Sequence, residues 1–179
     1  MANPNFDEQK NTSLLFIDNN LVDLRPLQNL AQANGFVAKP DFHMTVIGFK
    51  PGRDIDQVLK RLPTSQRANI IEQIKTLLAS TDWQFNLKPE YYQVAKDYFF
   101  PKTNTNEHRE SYIQIMECAG LKTFYAKLNE LLATNLEPQF AHITLYTKGS
   151  DMETSKGGIA INSQKEFEQL KPKPLTPAT

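Results

Sequence analysis

The sequence predicts a mixed α and β fold of two pseudo-symmetric lobes, with polar strand faces meeting across a cleft and helices covering the outer faces. Three observations carry it. Phe42-His43-Met44-Thr45-Val46 and Phe140-Ala141-His142-Ile143-Thr144-Leu145 each read His-x-Thr followed by an aliphatic residue. Each stretch is approached in the same order, through an apolar strand, a helix ending near an asparagine (Asn34, Asn135) and a proline-marked turn (Pro40, Pro138). The runs between strands are long enough for helices, which favours helices layered on sheets. Two copies make a pair of lobes, not a solenoid.

Along the chain, residues 1–12 are polar and read as a loose tail. Ser13 to Asp18 is an apolar run that reads as a buried strand, and Asn19-Asn20 turns it. A helix runs from Leu21 or Pro26 to Asn34 with Leu27, Leu30 and Ala33 on one face, Pro26 in its first turn and Gly35 after its end. Phe42 to Phe49 is the first His-x-Thr strand. Pro51-Gly52 marks a turn, Asp54 to Leu62 a short helix, and Thr64 or Ser65 caps a longer one carrying Ile70, Ile71, Ile74, Leu77 and Leu78. Trp83 to Leu87 alternates as a strand, and Tyr91 to Val94 pairs back after Lys88-Pro89.

Asp97 to Glu110 reads as a long irregular segment, functional or disordered. Ser111 to Met116 is the next strand. Gly120 to Thr134 carries one apolar stripe of Leu121, Phe124, Tyr125, Leu128, Leu131 and Leu132 and is the clearest helix. Phe140 to Thr147 is the second His-x-Thr strand. Lys148 to Gly158 reads as a polar loop, Ile159 to Ile161 as a short strand, Gln164 to Leu170 as a last helix, and residues 171–179 as a proline-rich tail that extends instead of packing.

The 179 residues suit a single domain spanning 1–179, with flexible tails at 1–12 and 171–179. Twenty basic and twenty acidic side chains cancel, which argues against an extended nucleic-acid surface but leaves room for a small nucleotide or an oligonucleotide end. The lone Cys118 rules out an internal disulfide and suits buried packing. The first residues lack the basic and apolar regions of a signal peptide, and no apolar run approaches a membrane span. A cytoplasmic monomer without membrane contact is expected.

In a strand, residues two apart share a face, so His43 with Thr45 and His142 with Thr144 form polar pairs, while Met44, Val46, Ile143 and Leu145 face an apolar core. Imidazole titrates near neutrality, so one copy can be neutral and the other protonated. On opposite sides of a phosphodiester, one takes a proton from water while the other protonates the departing oxygen. Thr45 and Thr144 can donate hydroxyl hydrogen bonds to non-bridging phosphate oxygens and stabilise charge that grows there. This chemistry requires no metal and no cofactor. Inert packing of each histidine at a sheet face is one alternative. A metal held by Asp41, His43 and His142 is another, although no close-spaced carboxylates or thiols complete it. His108, beside Arg109 and Glu110, reads as a solvated side chain.

Two His-x-Thr motifs in a duplicated strand–helix–strand setting resemble the 2H phosphoesterase superfamily, over roughly Ser13 to Phe167. The resemblance implies a bilobal α+β fold with a cleft between antiparallel sheets, His43 and His142 as acid and base, and Thr45 and Thr144 as phosphate ligands. It implies hydrolysis of 2′,3′-cyclic phosphates of nucleotides or RNA ends. The alternatives are another phosphodiester, such as a 2′,5′-oligonucleotide or a cyclic phosphate on ADP-ribose, or a non-catalytic nucleotide- or RNA-end-binding module. The chain departs from the bacterial RNA-ligase-like members, many of which carry arginine after the second motif where this chain has Tyr146-Thr147-Lys148. Tyr146, on the Thr144 face by alternation, is a candidate for base stacking or phosphate binding, and equally for plain packing. Lys148 and Lys156 flank the glycine loop and can meet a phosphate or stay solvated, and Arg109 is similarly open. Tyr91, Tyr92, Tyr98 and Phe99 can supply a base platform, or be ordinary core and surface aromatics.

Overall fold

A computed structural model describes residues 3–100, 103–149 and 157–177. In chain order the elements are β1 (Asn5–Asp7), β2 (Thr12–Ile17), α1 (Arg25–Ala33), β3 (Val37–Ala38), β4 (Phe42–Ile47), α2 (Phe49–Lys60), α3 (Thr64–Ser80), β5 (Asn86–Phe100), β6 (Thr105–Glu117), α4 (Ala119–Leu132), β7 (His142–Lys148), α5 (Gln164–Gln169) and β8 (Lys173–Leu175). The fold is α+β, with two antiparallel sheets. One has the order β1-β2-β4, the other β3-β7-β6-β5-β8. No helix among the described residues is long and apolar enough to cross a membrane.

Alternation sets the orientation of both His-x-Thr strands. Met44, Val46, Ile143 and Leu145 are fully buried in one cluster with Leu27 of α1, Ile55 of α2, Ile74 of α3 and Phe124 of α4. Burying each such side chain contributes about 1.5–3 kcal/mol. A one-residue slip would exchange these residues for the polar pairs, so the register of both strands is strongly specified. A smaller cluster of Val94, Ile113, Phe140, Ile159, Ile161 and Phe167 lies on the other side of the five-stranded sheet.

Both motif strands carry the same irregularity. Leu14 pairs with Thr45 but Ser13 with Ile47, so Val46 is an extra residue. Ile113 pairs with Thr144 but Tyr112 with Tyr146, so Leu145 is an extra residue. A β-bulge thus follows each threonine directly, and a bulge bends its strand and re-aims the side chains around it. The carbonyls at the bulges have partners elsewhere. Tyr125 Oη donates to Val46 O at 3.0 Å, and Lys39 N–H donates to Leu145 O at 2.9 Å.

Several expected elements differ. Residues 5–7, placed in a loose tail, pair with β2. α1 buries Leu27 and Ala31 and exposes Leu30 and Ala33. The first motif strand ends at Ile47, and α2 begins at Phe49, with Pro51 and Gly52 inside its first turn. Proline is tolerated there because the first helical N–H groups have no intrahelical acceptor. Trp83 lies outside any strand, with its indole N–H donating to Leu78 O at 2.7 Å where α3 ends. β5 is one continuous strand in place of two, and Lys88-Pro89 fall in a bulge between Leu87 and Tyr91 where no ladder N–H is needed.

The segment 97–110 is the far end of the β5–β6 hairpin in place of a loop, with Asn104 at φ 52° near its turn. Pro101 and Lys102 lie outside the described residues. β7 begins at His142 and runs through Lys148. Residues 159–161 form no ladder. They are held by the burial of Ile159 and Ile161 and by Lys96 Nζ donating to Ala160 O at 3.3 Å. Part of the proline-rich tail pairs with β5 as the edge strand β8, where Pro174 is compatible with the ladder.

Candidate active site

β4 and β7 belong to different sheets, yet their residues approach within 8 Å, Cα to Cα. Between them opens a cavity of about 450 Å³ that is lined by His43, Thr45, His142 and Thr144 together. That volume lies in the range of small-molecule sites, roughly 300–1,000 Å³. All four residues that the alternation argument paired therefore share one space.

The two histidines stand in different surroundings. His142 is 7% exposed. Its Nδ1 lies 2.8 Å from the carbonyl oxygen of Phe140, which can only accept, so Nδ1 carries the proton and Nε2 is the basic atom. Burial drives its pKa down to about 4; the Phe140 hydrogen bond opposes this and the nearby His43 adds to it. His43 is more open, with about a third of its side chain exposed and its ring edge-on to Phe16 at 6.0 Å. Its Nδ1 is buried, makes no hydrogen bond and lies 4.0 Å from Asp41 Oδ1. Burial again lowers the pKa, the Asp41 carboxylate opposes the shift, and the Lys39 charge adds to it. With no bound anion, both rings are neutral near pH 7.

The remaining sequence candidates fall elsewhere. Tyr146 is 4% exposed, donates from its hydroxyl to Leu24 O at 2.9 Å, packs edge-on against Tyr112 and does not line the cavity. The bulge at Leu145 breaks the alternation that would have kept it on the Thr144 face. Lys148 also lies outside the lining, 3.7 Å from Glu110 and over the Phe36 ring. Lys156 lies outside the described residues. Arg109 pairs with Glu107, covers the Tyr98 ring at 4.9 Å and donates to Gly158 O at 3.5 Å, so it braces the cavity wall from behind. His108 is exposed but held by Asp97 at 2.6 Å. Tyr91 packs in the main core, Tyr92 against Phe167, and Phe99 is exposed on the hairpin. Among the described residues, no group of three or more His, Cys, Asp or Glu is placed to hold a metal ion.

Other lining residues carried no signal as single letters. Phe16 and Phe49 are 54% and 66% exposed, and both border the cavity. Gln139, 5% exposed, lines it while its amide donates to Asn162 O at 3.1 Å. A Cβ on Gly48 would sit 2.7 Å from Gln139 Oε1, so only glycine fits there without a shift. A Cβ on Gly158 would sit 3.4 Å from Thr144 Oγ1, within the space in front of that hydroxyl.

A scan of the chain against protein-family models gave no match, and comparisons with curated proteins and with solved structures gave none either.

Proposed function

We propose that the protein is a phosphodiesterase using two histidines as general base and general acid, acting on nucleotides or RNA ends that carry a 2′,3′-cyclic phosphate. One observation carries the reading: His43, Thr45, His142 and Thr144 line one cavity although they come from two sheets. The matching bulges after Thr45 and Thr144 support a duplicated, bilobal origin with the cleft between the lobes. A pair of proton-transfer groups facing a pair of hydroxyl donors suits in-line displacement at phosphorus.

The surroundings of the two rings divide the labour. His142, neutral with its Nε2 lone pair available, takes the proton from water as the water oxygen bonds to phosphorus. His43, more open and beside Asp41, becomes protonated when the anionic substrate enters, because the added negative charge raises its pKa. It then gives its proton to the oxygen whose bond to phosphorus breaks. Thr45 and Thr144 bind the non-bridging oxygens, and Phe16 and Phe49 offer apolar surface for a nucleobase at the cavity mouth.

The test is turnover of a panel of 2′,3′-cyclic nucleotides, cyclic-phosphate RNA ends, 2′,5′-linked oligonucleotides and an ADP-ribose cyclic phosphate, with and without EDTA. EDTA-insensitive hydrolysis of a cyclic phosphate is expected. Tight binding with no turnover across the panel would replace the enzyme by a binding module, and loss of activity in EDTA would replace the two-histidine route by a metal-dependent one.

A further inference from the structure

We propose that Gln139 is a positioning residue: its side chain sets the spacing of the two His-x-Thr strands, and residue 48 is glycine to leave it room. This rests on the phosphodiesterase reading and adds a residue from outside both motifs, which acts through the motif residues.

Gln139 stands three residues before His142, and Gly48 three residues after Thr45. The two meet at the cavity. A Cβ on Gly48 would sit 2.7 Å from Gln139 Oε1 and 3.3 Å from Asn162 Oδ1. Gly48 has φ −83° and ψ 178°, extended backbone that any residue adopts, so conformation does not require glycine there. What glycine supplies is the space beside its Cα, and Gln139 fills that space.

Gln139 is 5% exposed, and its amide is tied in two directions. Nε2 donates to Asn162 O at 3.1 Å. Asn162 in turn donates from N and Nδ2 to Glu166 Oε2 at 2.8 and 2.7 Å, and Glu166 pairs with Lys96 of β5 in the five-stranded sheet. Burial raises the pKa of the Tyr125 hydroxyl, and a hydrogen bond from Gln139 opposes that rise. The same hydroxyl donates to Val46 O, the carbonyl of the extra residue after Thr45. One buried amide thus links the approach to the second motif, the bulge of the first, and the segment that carries Ile159 and Ile161 along the cavity wall.

β4 and β7 lie in different sheets, so no ladder fixes their spacing. Side chains packed between them must do so. Apolar contacts tolerate small slides, whereas hydrogen bonds weaken steeply with distance and angle. A misplacement of about 1 Å can cost roughly 100-fold in rate, so two proton-transfer groups on separate sheets need such a tie.

The experiment compares wild type, Gln139→Ala, Gly48→Ala and the double variant, each first shown to be folded. Gln139→Met, which keeps the volume without the amide, replaces the alanine variant if that does not fold. Steady-state hydrolysis of a diester is measured, and the His43 and His142 ring signals are read by NMR without ligand. Gln139→Ala is expected to lower kcat about 100-fold with KM within a few-fold of wild type. Gly48→Ala should lower kcat about tenfold where Gln139 is present, because the methyl group displaces Oε1. In the Gln139→Ala background it should change kcat by less than about twofold. The ring signals should move in both single variants. A kcat near wild type in Gln139→Ala, independent effects of the two substitutions, or unmoved ring signals would overturn the proposal. Turnover separates the two readings. Hydrolysis insensitive to both substitutions would remove Gln139 and keep the enzyme. No hydrolysis by wild type, with ring signals that respond to Gly48→Ala only where Gln139 is present, would keep the tie between the strands and remove the reaction.

Discussion

Replacing His142 by asparagine should remove a specific part of the acid sensitivity of folding. In the folded protein burial lowers the His142 pKa to about 4, while in the unfolded chain a histidine titrates near 6.5. Between those values the unfolded state binds a proton that the folded state refuses, so stability falls as pH drops through that window. It is unaffected by His142 above about 6.5 and loses nothing more below about 4. The separation of the two values corresponds to about 3 kcal/mol, a sizeable part of the roughly 5–15 kcal/mol that holds a domain folded. Asparagine keeps an amide donor for Phe140 O but does not titrate. Urea unfolding of both proteins from pH 7.5 to 4 should show wild type losing about 3 kcal/mol more than His142→Asn, with parallel curves above pH 6.5. Equal losses across the window would mean that burial does not hold the His142 pKa below that of a free imidazole, and the acid sensitivity assigned to it would fall with that.

The remaining predictions follow from the same geometry. The pH profile of kcat/KM should be bell-shaped with a mildly acidic optimum, because base action requires pH above the His142 value of about 4 and acid action requires pH below a His43 value that lies under 6.5. Asp41→Asn removes the group that favours His43 protonation, so its falling limb should move to lower pH; an unmoved limb would detach Asp41 from the acid. Tyr125→Phe strips the hydroxyl from the buried Val46 carbonyl at the first bulge and should cost about 1–3 kcal/mol in urea unfolding. Ala133 ends α4 with φ 50° and its side chain exposed, so Ala133→Gly should raise stability by about 0.5–1 kcal/mol, and a loss on calorimetry would contradict that.

Local pattern made much of this molecule legible. The α4 stripe from Leu121 to Leu132 has its own periodicity, and the alternation through His43-Met44-Thr45 and His142-Ile143-Thr144 decided which side chains face the cavity. The aliphatic partners Met44 and Ile143 are large enough to enforce that choice. What escaped depends on partners distant in sequence. Thr105 to Glu110 is too polar to read as strand, and becomes one because each of these residues has a neighbour across the hairpin. Tyr146 defeated alternation because Leu145 is an extra residue in its ladder, and nothing in the sequence marks the bulge.

The most direct test of the central claim is the single-turnover rate of a hydrolysed diester with wild type, His43→Ala and His142→Ala, each variant first shown to be folded. Two proton-transfer groups acting in one step predict that either substitution slows the chemical step by about 10²–10⁴-fold. A rate within a few-fold of wild type in either variant would contradict the two-histidine mechanism.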